Sequence, residues 1–169
     1  VVSDRRVNEW VHVVYTFDNT LKRLRMYVNG VETNESPSDF HGRLRESNNV
    51  SYYIGCANPR ARHEDAGFFK GSVAQISLWK NCLEPSEAEY LYNNGFPRNV
   101  TDSEVFSGWK QGTEKYTSSR SVIGYWNFDN VVSDLVLDKS GHDNHAKVHG
   151  AIRKEKDLRI GSIALIPNR

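Results

Sequence analysis

The segment FFKGSVAQISLWKNCLEPSEAEYLYNNG, residues 68–95, changes the period of its apolar residues halfway along. Up to Trp79 the apolar residues recur at every second position, which is typical of a β-strand that is covered on both faces. After Pro85 they recur three and four positions apart, with Pro85 suited to the first helical position and Gly95 suited to the helix end. The pattern predicts a long strand that leads into one short helix near residues 85–94.

Most other apolar residues alternate in short runs separated by turn residues. The run WVHVVYTFD covers residues 10–18, and Asn29-Gly30 between two β-prone runs is typical of a hairpin with a type I′ turn. Short strands with turns about every 8 to 12 residues predict an all-β fold, an antiparallel β-sandwich with one short capping helix. We expect its core to hold the large apolar residues at strand period: Trp10, Val13, Tyr15, Phe17, Ile76, Leu78, Trp79 and Trp126.

Length and charge exclude several classes of function. A chain of 169 residues suits one compact domain. With 22 Lys and Arg against 21 Asp and Glu, the total charge does not indicate a phosphate-binding surface, so we expect no nucleic acid partner. No apolar run approaches the roughly 18 to 20 residues of a bilayer span, so we expect no membrane insertion. The start VVSDRR has no leader pattern, which favours a processed product or a fragment of a larger protein.

Cysteines and glycosylation motifs do not identify the compartment. Cys56 and Cys82 form neither a disulfide framework nor a C-x-x-C pair, and we expect two thiols. N-x-S/T motifs begin at Asn34, Asn49 and Asn99, which is close to the number that chance provides in a sequence rich in Asn, Ser and Thr.

Several motifs occur together in one order. They are W-x-H-V-x-x-x-x-D at residues 10–18, L-x-x-Y-V-N-G at 24–30, I-G at 54–55, F-x-G-x-V-x-x-I-x-L-W at 69–79 and L-x-P-S-E-A at 83–88. In combination they resemble the laminin G-like branch of the concanavalin A-like jelly rolls, and the last is also similar to the tail of the related pentraxins. The resemblance covers residues 8–97 and implies a jelly roll in which a late strand precedes one short helix.

The resemblance also implies a division of the chain. Residues 1–97 correspond to laminin G-like strands and the capping helix, and residues 98–121 read as a polar connector. In residues 122–169, YWNFD and D-K-S-G-x-x-N resemble the first strands of such a repeat. This last block either completes the same sandwich in permuted order or begins a second repeat.

The family implies a non-catalytic recognition or scaffolding module of a larger protein. Its relatives include β-glucanases, whose catalytic carboxylates lie along one strand as E-x-D-x-x-E. This chain has no such run, so we expect no enzyme; a degenerate glycoside hydrolase is the disfavoured alternative, and a lectin-like carbohydrate-binding domain is the closer one. We expect a protein or glycan partner, or the neighbouring domains of the parent chain. The resemblance favours an extracellular or cell-surface location, whereas the low cysteine number also allows an intracellular one.

A calcium ion is the one cofactor that the family suggests. Asp138, Asp143 and Asn144 would offer the hard oxygen ligands that calcium requires. The acidic residue that often follows G-x-V in the family is replaced, because Gly71-Ser72-Val73 is followed by Ala74 and Gln75. We therefore expect a structural Asp/Asn turn and no cofactor.

Candidate contact residues lie in loops. Exposed Arg and aromatic side chains are enriched at interface centres, which favours Arg60, Arg62 and His63 in one loop and Trp109 and Tyr116 in the connector as partner-binding residues. The spacing H-x-x-H-x-x-x-H at residues 142–149 suggests zinc only weakly, because no cysteine or fourth ligand lies nearby. Surface histidines are the preferred interpretation.

Overall fold

The computed structural model describes residues 9–35, 51–57, 67–102, 116–129, 131–153 and 165–167. Within these residues the regular elements are mostly short strands. The strands are β1 (Val13–Asp18), β2 (Arg23–Val28), β3 (Val31–Glu35), β4 (Ile76–Trp79), β5 (Val122–Trp126), β6 (Val131–Val132), β7 (Leu135–Val136), β8 (Ala146–Lys147), β9 (Ala151–Arg153) and β10 (Leu165–Pro167). The helix α1 covers Pro85–Tyr92, and 3₁₀ turns follow at Asn93–Gly95 and Ser118–Ser121.

The strands form small sheets. β1, β2 and β3 make a three-stranded antiparallel sheet, and β6, β7 and β8 make a second one. β9 pairs with β10 in antiparallel fashion, and β4 pairs with β5. The predicted all-β, antiparallel class with a single short helix is confirmed for the described part of the chain. Closure of the sheets into a two-layer sandwich stays a prediction.

The chain folds as two compact units, each made of two separate stretches. The first comprises Val1–Leu44 and Ser77–Ile123, and the second comprises Arg45–Ile76 and Gly124–Arg169. The domain boundaries predicted at residues 97 and 121 come from the resemblance of each sequence block to the family. These boundaries stay a prediction.

Helix α1 begins at Pro85, directly after its N-cap residue Glu84. Pro85 occupies the first turn, and the backbone N–H of Glu84 donates to Glu87 Oε2 at 3.0 Å in a capping box. The helix ends at Tyr92, because Asn93 adopts a left-handed conformation with φ 44° and ψ 44°. It therefore stops two residues before the predicted end. Ala88 and Leu91 form its buried face.

The predicted hairpin forms at Asn29-Gly30. These residues have φ values of 51° and 78°, as a type I′ turn requires. The Asn29 side-chain oxygen accepts a hydrogen bond from His12 N at 3.0 Å, and Asn29 N–H donates to the His12 carbonyl at 2.9 Å. A Cβ on Gly30 would lie 3.1 Å from the Cα of Glu89. The turn therefore packs directly against α1.

Strand β1 buries the face opposite to the one that was predicted. The pairs Val14 with Tyr27 and Thr16 with Arg25 share one face, on which Val14, Thr16 and Tyr27 are buried. Val13 and Tyr15 lie on the other face and are exposed, Tyr15 by 66%. The prediction that these two are core residues is thus corrected. Both faces of this run are apolar, so alternation alone does not say which face is covered.

The other predicted core residues divide between surface and interior. Trp10 and Leu78 are exposed, which corrects their assignment; Trp10 precedes β1, and Leu78 points to the opposite side of β4 from its neighbours. Phe17, Ile76 and Trp79 are half-buried, and Trp126 is buried. The strand predicted before the helix is shorter than its pattern, because Gln75 has a φ of 53° and interrupts the extended backbone.

The core of the second unit forms around Trp126, Phe128 and Val136. Half-buried apolar residues pack against these three, namely Val73, Ile76, Val131, Ala146 and Val148. The Trp126 indole N–H donates to the carbonyl of Asn144 at 2.8 Å. A Cβ on Gly124 would lie 2.5 Å from the Trp126 ring, so glycine is needed for this ring position.

Candidate functional site

Two short segments of the second unit lie side by side. The backbone N–H of Phe69 donates to the carbonyl of Gly55 at 2.9 Å. A Cβ on Gly67, which has a φ of 61°, would lie 2.9 Å from the Cβ of Ala57. Residues 51–57 and 67–70 therefore run next to each other and bracket residues 58–66 in the chain. We call these two segments the aromatic flanks.

The aromatic flanks carry large apolar side chains on the surface. Tyr52 is 84% exposed. Tyr53, Ile54, Phe68 and Phe69 are also exposed. Single exposed apolar residues are ordinary, but several in adjacent segments are typical of a contact surface. Tyrosine suits such a surface, since its ring provides apolar area and its hydroxyl provides a hydrogen-bonding group.

Of the residues predicted to contact a partner, only Tyr116 lies within the described residues. Arg60, Arg62 and His63 lie between the aromatic flanks in sequence, outside the described residues, and Trp109 also lies outside them. Tyr116 is described and is only 3% exposed, which corrects its assignment to a partner surface. Its polar surroundings in sequence suggested a solvent-facing connector, whereas its partners come from distant parts of the first unit.

Tyr116 is held by hydrogen bonds and ring stacking. Its hydroxyl accepts from Trp79 Nε1 at 3.0 Å and donates to the Val100 carbonyl at 2.7 Å. Its ring stacks on that of Tyr90 with centroids 5.4 Å apart, and the Arg98 guanidinium lies 4.0 Å from the centroid of the Tyr90 ring. Burial raises the pKa of Tyr116 to about 12. This group is structural.

Glu87 is a buried carboxylate that was not predicted from the sequence to have a role. Its Oε1 accepts from the backbone N–H of Thr117 and of Ser118, each at 2.9 Å, and from Thr117 Oγ1 at 3.2 Å. Its Oε2 accepts from Glu84 N at 3.0 Å and from Ser118 Oγ at 2.9 Å. Burial alone would raise the pKa of Glu87, but these hydrogen bonds outweigh it and lower the pKa. The L-x-P-S-E-A motif contained a signal for this role, because a Glu three residues after the helix cap is typical of a capping box.

Asp138 accepts hydrogen bonds within the turn whose side-chain oxygens suggest calcium ligands. Its Oδ1 accepts from Tyr125 N at 2.8 Å and Ser140 N at 2.9 Å, and its Oδ2 accepts from Ser140 Oγ at 2.7 Å and Asn144 N at 3.0 Å. Burial would raise the pKa of Asp138, but the hydrogen bonds from these donors lower it. Four donors use the four lone-pair positions of a carboxylate. Asp138 therefore does not fit as a cation ligand.

The neighbouring polar residues do not complete a metal site. Asp143 and Asn144 are exposed, and Asn144 uses its backbone carbonyl to hold Trp126. His142 and His149 are exposed, and His145 Nδ1 accepts from the Asp138 backbone N–H at 3.2 Å. Over the described ranges, no three His, Cys, Asp or Glu residues are grouped so that they would hold a metal ion.

A family model described as the concanavalin A-like lectin/glucanases superfamily, of laminin G type, matches residues 2–89, which is more than half of the chain. The chain belongs to this superfamily. Laminin G-like domains are generally non-catalytic, and the superfamily is consistent with a binding module. Comparisons with curated proteins and with solved structures found no match.

The matched laminin G-like region contains β1 to β4 and the first part of α1. It also includes both aromatic flanks. In the part of the chain that is described, no helix has the length and hydrophobicity to span a membrane.

Proposed function

We propose that this laminin G-like chain is a non-catalytic recognition or scaffolding module that contacts a protein or glycan partner through the aromatic flanks. The observation that carries the proposal is the exposure of Tyr52, Tyr53 and Phe69 on two segments that a backbone hydrogen bond holds together. Exposed aromatic residues on a fixed backbone lose little side-chain entropy when they bind. Arg60, Arg62 and His63, which lie between the two flanks in sequence, stay candidate contact residues because of their residue types.

Glu87 and Asp138 do not have the environment of a glycosidase general acid. Hydrolysis of a glycosidic bond requires two carboxyl groups facing one cleft, of which the general acid has a raised pKa. Glu87 and Asp138 both have lowered pKa values, because each accepts hydrogen bonds at both oxygens. They stabilise the fold around the helix cap and the Asp138 turn. We therefore assign neither of these two carboxylates a catalytic role.

A lectin-like role is the second candidate, and Tyr52 and Tyr53 favour it. Tyrosine rings can stack on the apolar faces of sugars while their hydroxyls bond to sugar hydroxyls. A protein partner would use the same rings as interface anchors. The two roles differ in whether an isolated carbohydrate binds at all.

The experiment compares a double variant of the aromatic flanks with a matched control. Tyr52→Ala with Tyr53→Ala removes two exposed rings, and Tyr15→Ala removes an exposed ring from β1 of the first unit. Each folded protein is applied to a glycan array and to the immobilised neighbouring domains of the parent protein. Binding that the double variant loses and the Tyr15 variant keeps supports the proposal. Binding that the double variant retains contradicts it, and an array signal decides for the glycan.

A further inference from the structure

Three N-x-S/T motifs are present, and the structure distinguishes one of them. Asn34 lies within β3, where its backbone is paired with Met26 in the ladder. Asn49 lies outside the described residues. Asn99, in the motif Asn99-Val100-Thr101, lies on the surface in a turn beyond α1. The turn is closed by a hydrogen bond from Asp102 N to the Asn99 carbonyl at 3.3 Å.

The Asn99 side chain is oriented by its own motif. Its Oδ1 accepts from Thr101 Oγ1 at 2.8 Å and from Thr101 N at 3.1 Å, and its Nδ2 donates to Asp102 Oδ1 at 2.8 Å. Exchanging the two amide atoms would set the NH₂ group against the Thr101 N–H, so these contacts fix which atom is nitrogen. The hydroxyl that the motif requires is therefore bonded to the amide that the motif would modify.

The backbone next to Asn99 is anchored while its side chain is exposed. Val100 is buried, and its carbonyl accepts the Tyr116 hydroxyl at 2.7 Å. Asn99 and Asp102 are both exposed. A bulky group on Asn99 Nδ2 would replace only the surface contact with Asp102 and would leave the buried Val100 contact in place. The native fold therefore accommodates a large hydrophilic substituent here.

The geometry points to Asn99 as an acceptor site for an N-linked glycan. The donor class is an oligosaccharide linked to a polyisoprenoid pyrophosphate, used by a membrane-bound oligosaccharyltransferase. The Asn99 amide nitrogen bonds to the anomeric carbon of the sugar, and the bond from that carbon to the pyrophosphate oxygen breaks. The polyisoprenoid pyrophosphate leaves with the electron pair, and the amide nitrogen loses one proton to a base of the transferase. No electron transfer is involved, and the product is a hydrophilic glycan on the surface.

The test uses the full 169-residue chain, synthesised behind a cleavable leader in the presence of rough microsomes. Glycans are removed with an amidase that converts the modified asparagine to aspartate, and peptide mass spectrometry locates the conversion. We expect conversion at Asn99 in the wild-type chain. An unmodified Asn99 in that chain overturns the inference, and this readout depends on no variant.

Variants then test whether the modification requires the Asn99 amide and the Thr101 hydroxyl. Asn99→Gln and Thr101→Val should each carry one glycan fewer than the wild type. The matched control Thr101→Ser keeps the hydroxyl and should keep the glycan, and Asn34→Gln should retain the Asn99 glycan. An Asn99→Gln chain with the same number of glycans as the wild type overturns the inference. So does a Thr101→Val chain that is still converted at Asn99.

Discussion

At the scale of single residues, Glu87 shows how a charge is kept inside this protein. The side chain is only 4% exposed, yet five donors surround its two oxygens. Three of these donors are backbone N–H groups, and they come from both the helix cap and residues 117–118. The carboxylate therefore joins two parts of the first unit that are about 30 residues apart in sequence.

Replacing Glu87 by Gln should destabilise the protein. The amide offers one acceptor oxygen in place of two, so buried donors of the cap or of residues 117–118 lose a charged partner. We expect a loss of about 1 to 3 kcal/mol in the free energy of unfolding, measured by urea denaturation. Glu89→Gln on the exposed side of the same helix is the matched control. Equal effects of the two substitutions would contradict the structural role of Glu87.

Cys82 should react slowly with alkylating reagents in the folded protein. Burial raises the pKa of its thiol, with Asp18 and Glu84 adding to the effect, and its Sγ donates to the Phe17 carbonyl at 2.9 Å. Iodoacetamide labelling followed by mass spectrometry should find slow modification of Cys82 near neutral pH and fast modification after unfolding. Two thiols per unfolded, non-reduced chain are expected, since both cysteines are thiols in the structure. Rapid labelling of folded Cys82 would contradict this prediction.

The sequence predicted some of these residues better than others. The turn around Asp138 followed from its Asp, Ser, Gly and Asn content, because such residues bond to their own backbone over short separations. Tyr116 was wrongly predicted to lie on a partner surface, since its bonds to Trp79 and Val100 join residues that are far apart in the chain. Its local composition was that of a solvated loop. Contacts of this kind depend on the tertiary fold and leave no periodic signal.

At the scale of elements, the helix and the hairpin were the most predictable parts. Pro85 and the capping box act within one turn of α1, and Asn29-Gly30 acts within one turn of the backbone. Local chemistry of this type can be recognised in the sequence. The buried face of β1 could not be predicted, because Val13 and Val14 are equally apolar. The position of neighbouring elements determines which of the two side chains is buried.

The hairpin turn provides a prediction about glycine. Gly30→Ala would place a Cβ at a φ of 78° and 3.1 Å from the helix backbone at Glu89, so both strain and contact oppose it. We expect a loss on the order of 1 to 3 kcal/mol in thermal or urea unfolding. Gly95→Ala is the matched control, because Gly95 has a φ of 86° but no atom within 4 Å of the added Cβ. If the two variants lose equal stability, the conclusion that the turn packs directly against α1 is wrong.

At the scale of the whole molecule, each compact unit contains one buried carboxylate among its described residues. Glu87 belongs to the first unit and Asp138 to the second. Both have pKa values below those of the unfolded chain, where ordinary values lie near pH 4. Their stabilising contribution is therefore complete above about pH 5 and is lost as the pH falls through the lowered folded-state values.

Acidic pH should lower the folding stability of both units. His12 adds an earlier step, because burial lowers its pKa and its unfolded form begins to bind protons as the pH falls below about 6.5. Thermal unfolding measured between neutral and acidic pH should show a melting temperature that decreases with falling pH. Glu87→Gln and Asp138→Asn should each start from a lower value and show a weaker decrease below about pH 4. A melting temperature that rises as the pH falls would contradict the stabilising roles of Glu87 and Asp138.

The hydrogen bond between Phe69 and Gly55 also affects how this protein can change over evolution. It joins the two ends of the interval from 58 to 66, so the interval can lengthen or shorten while its ends stay in the same place. For flexible loops in general, doubling the length costs only about 0.6 kcal/mol in closure entropy. We therefore expect insertions or deletions between Gly55 and Phe69 to cost little folding free energy as long as this hydrogen bond is kept.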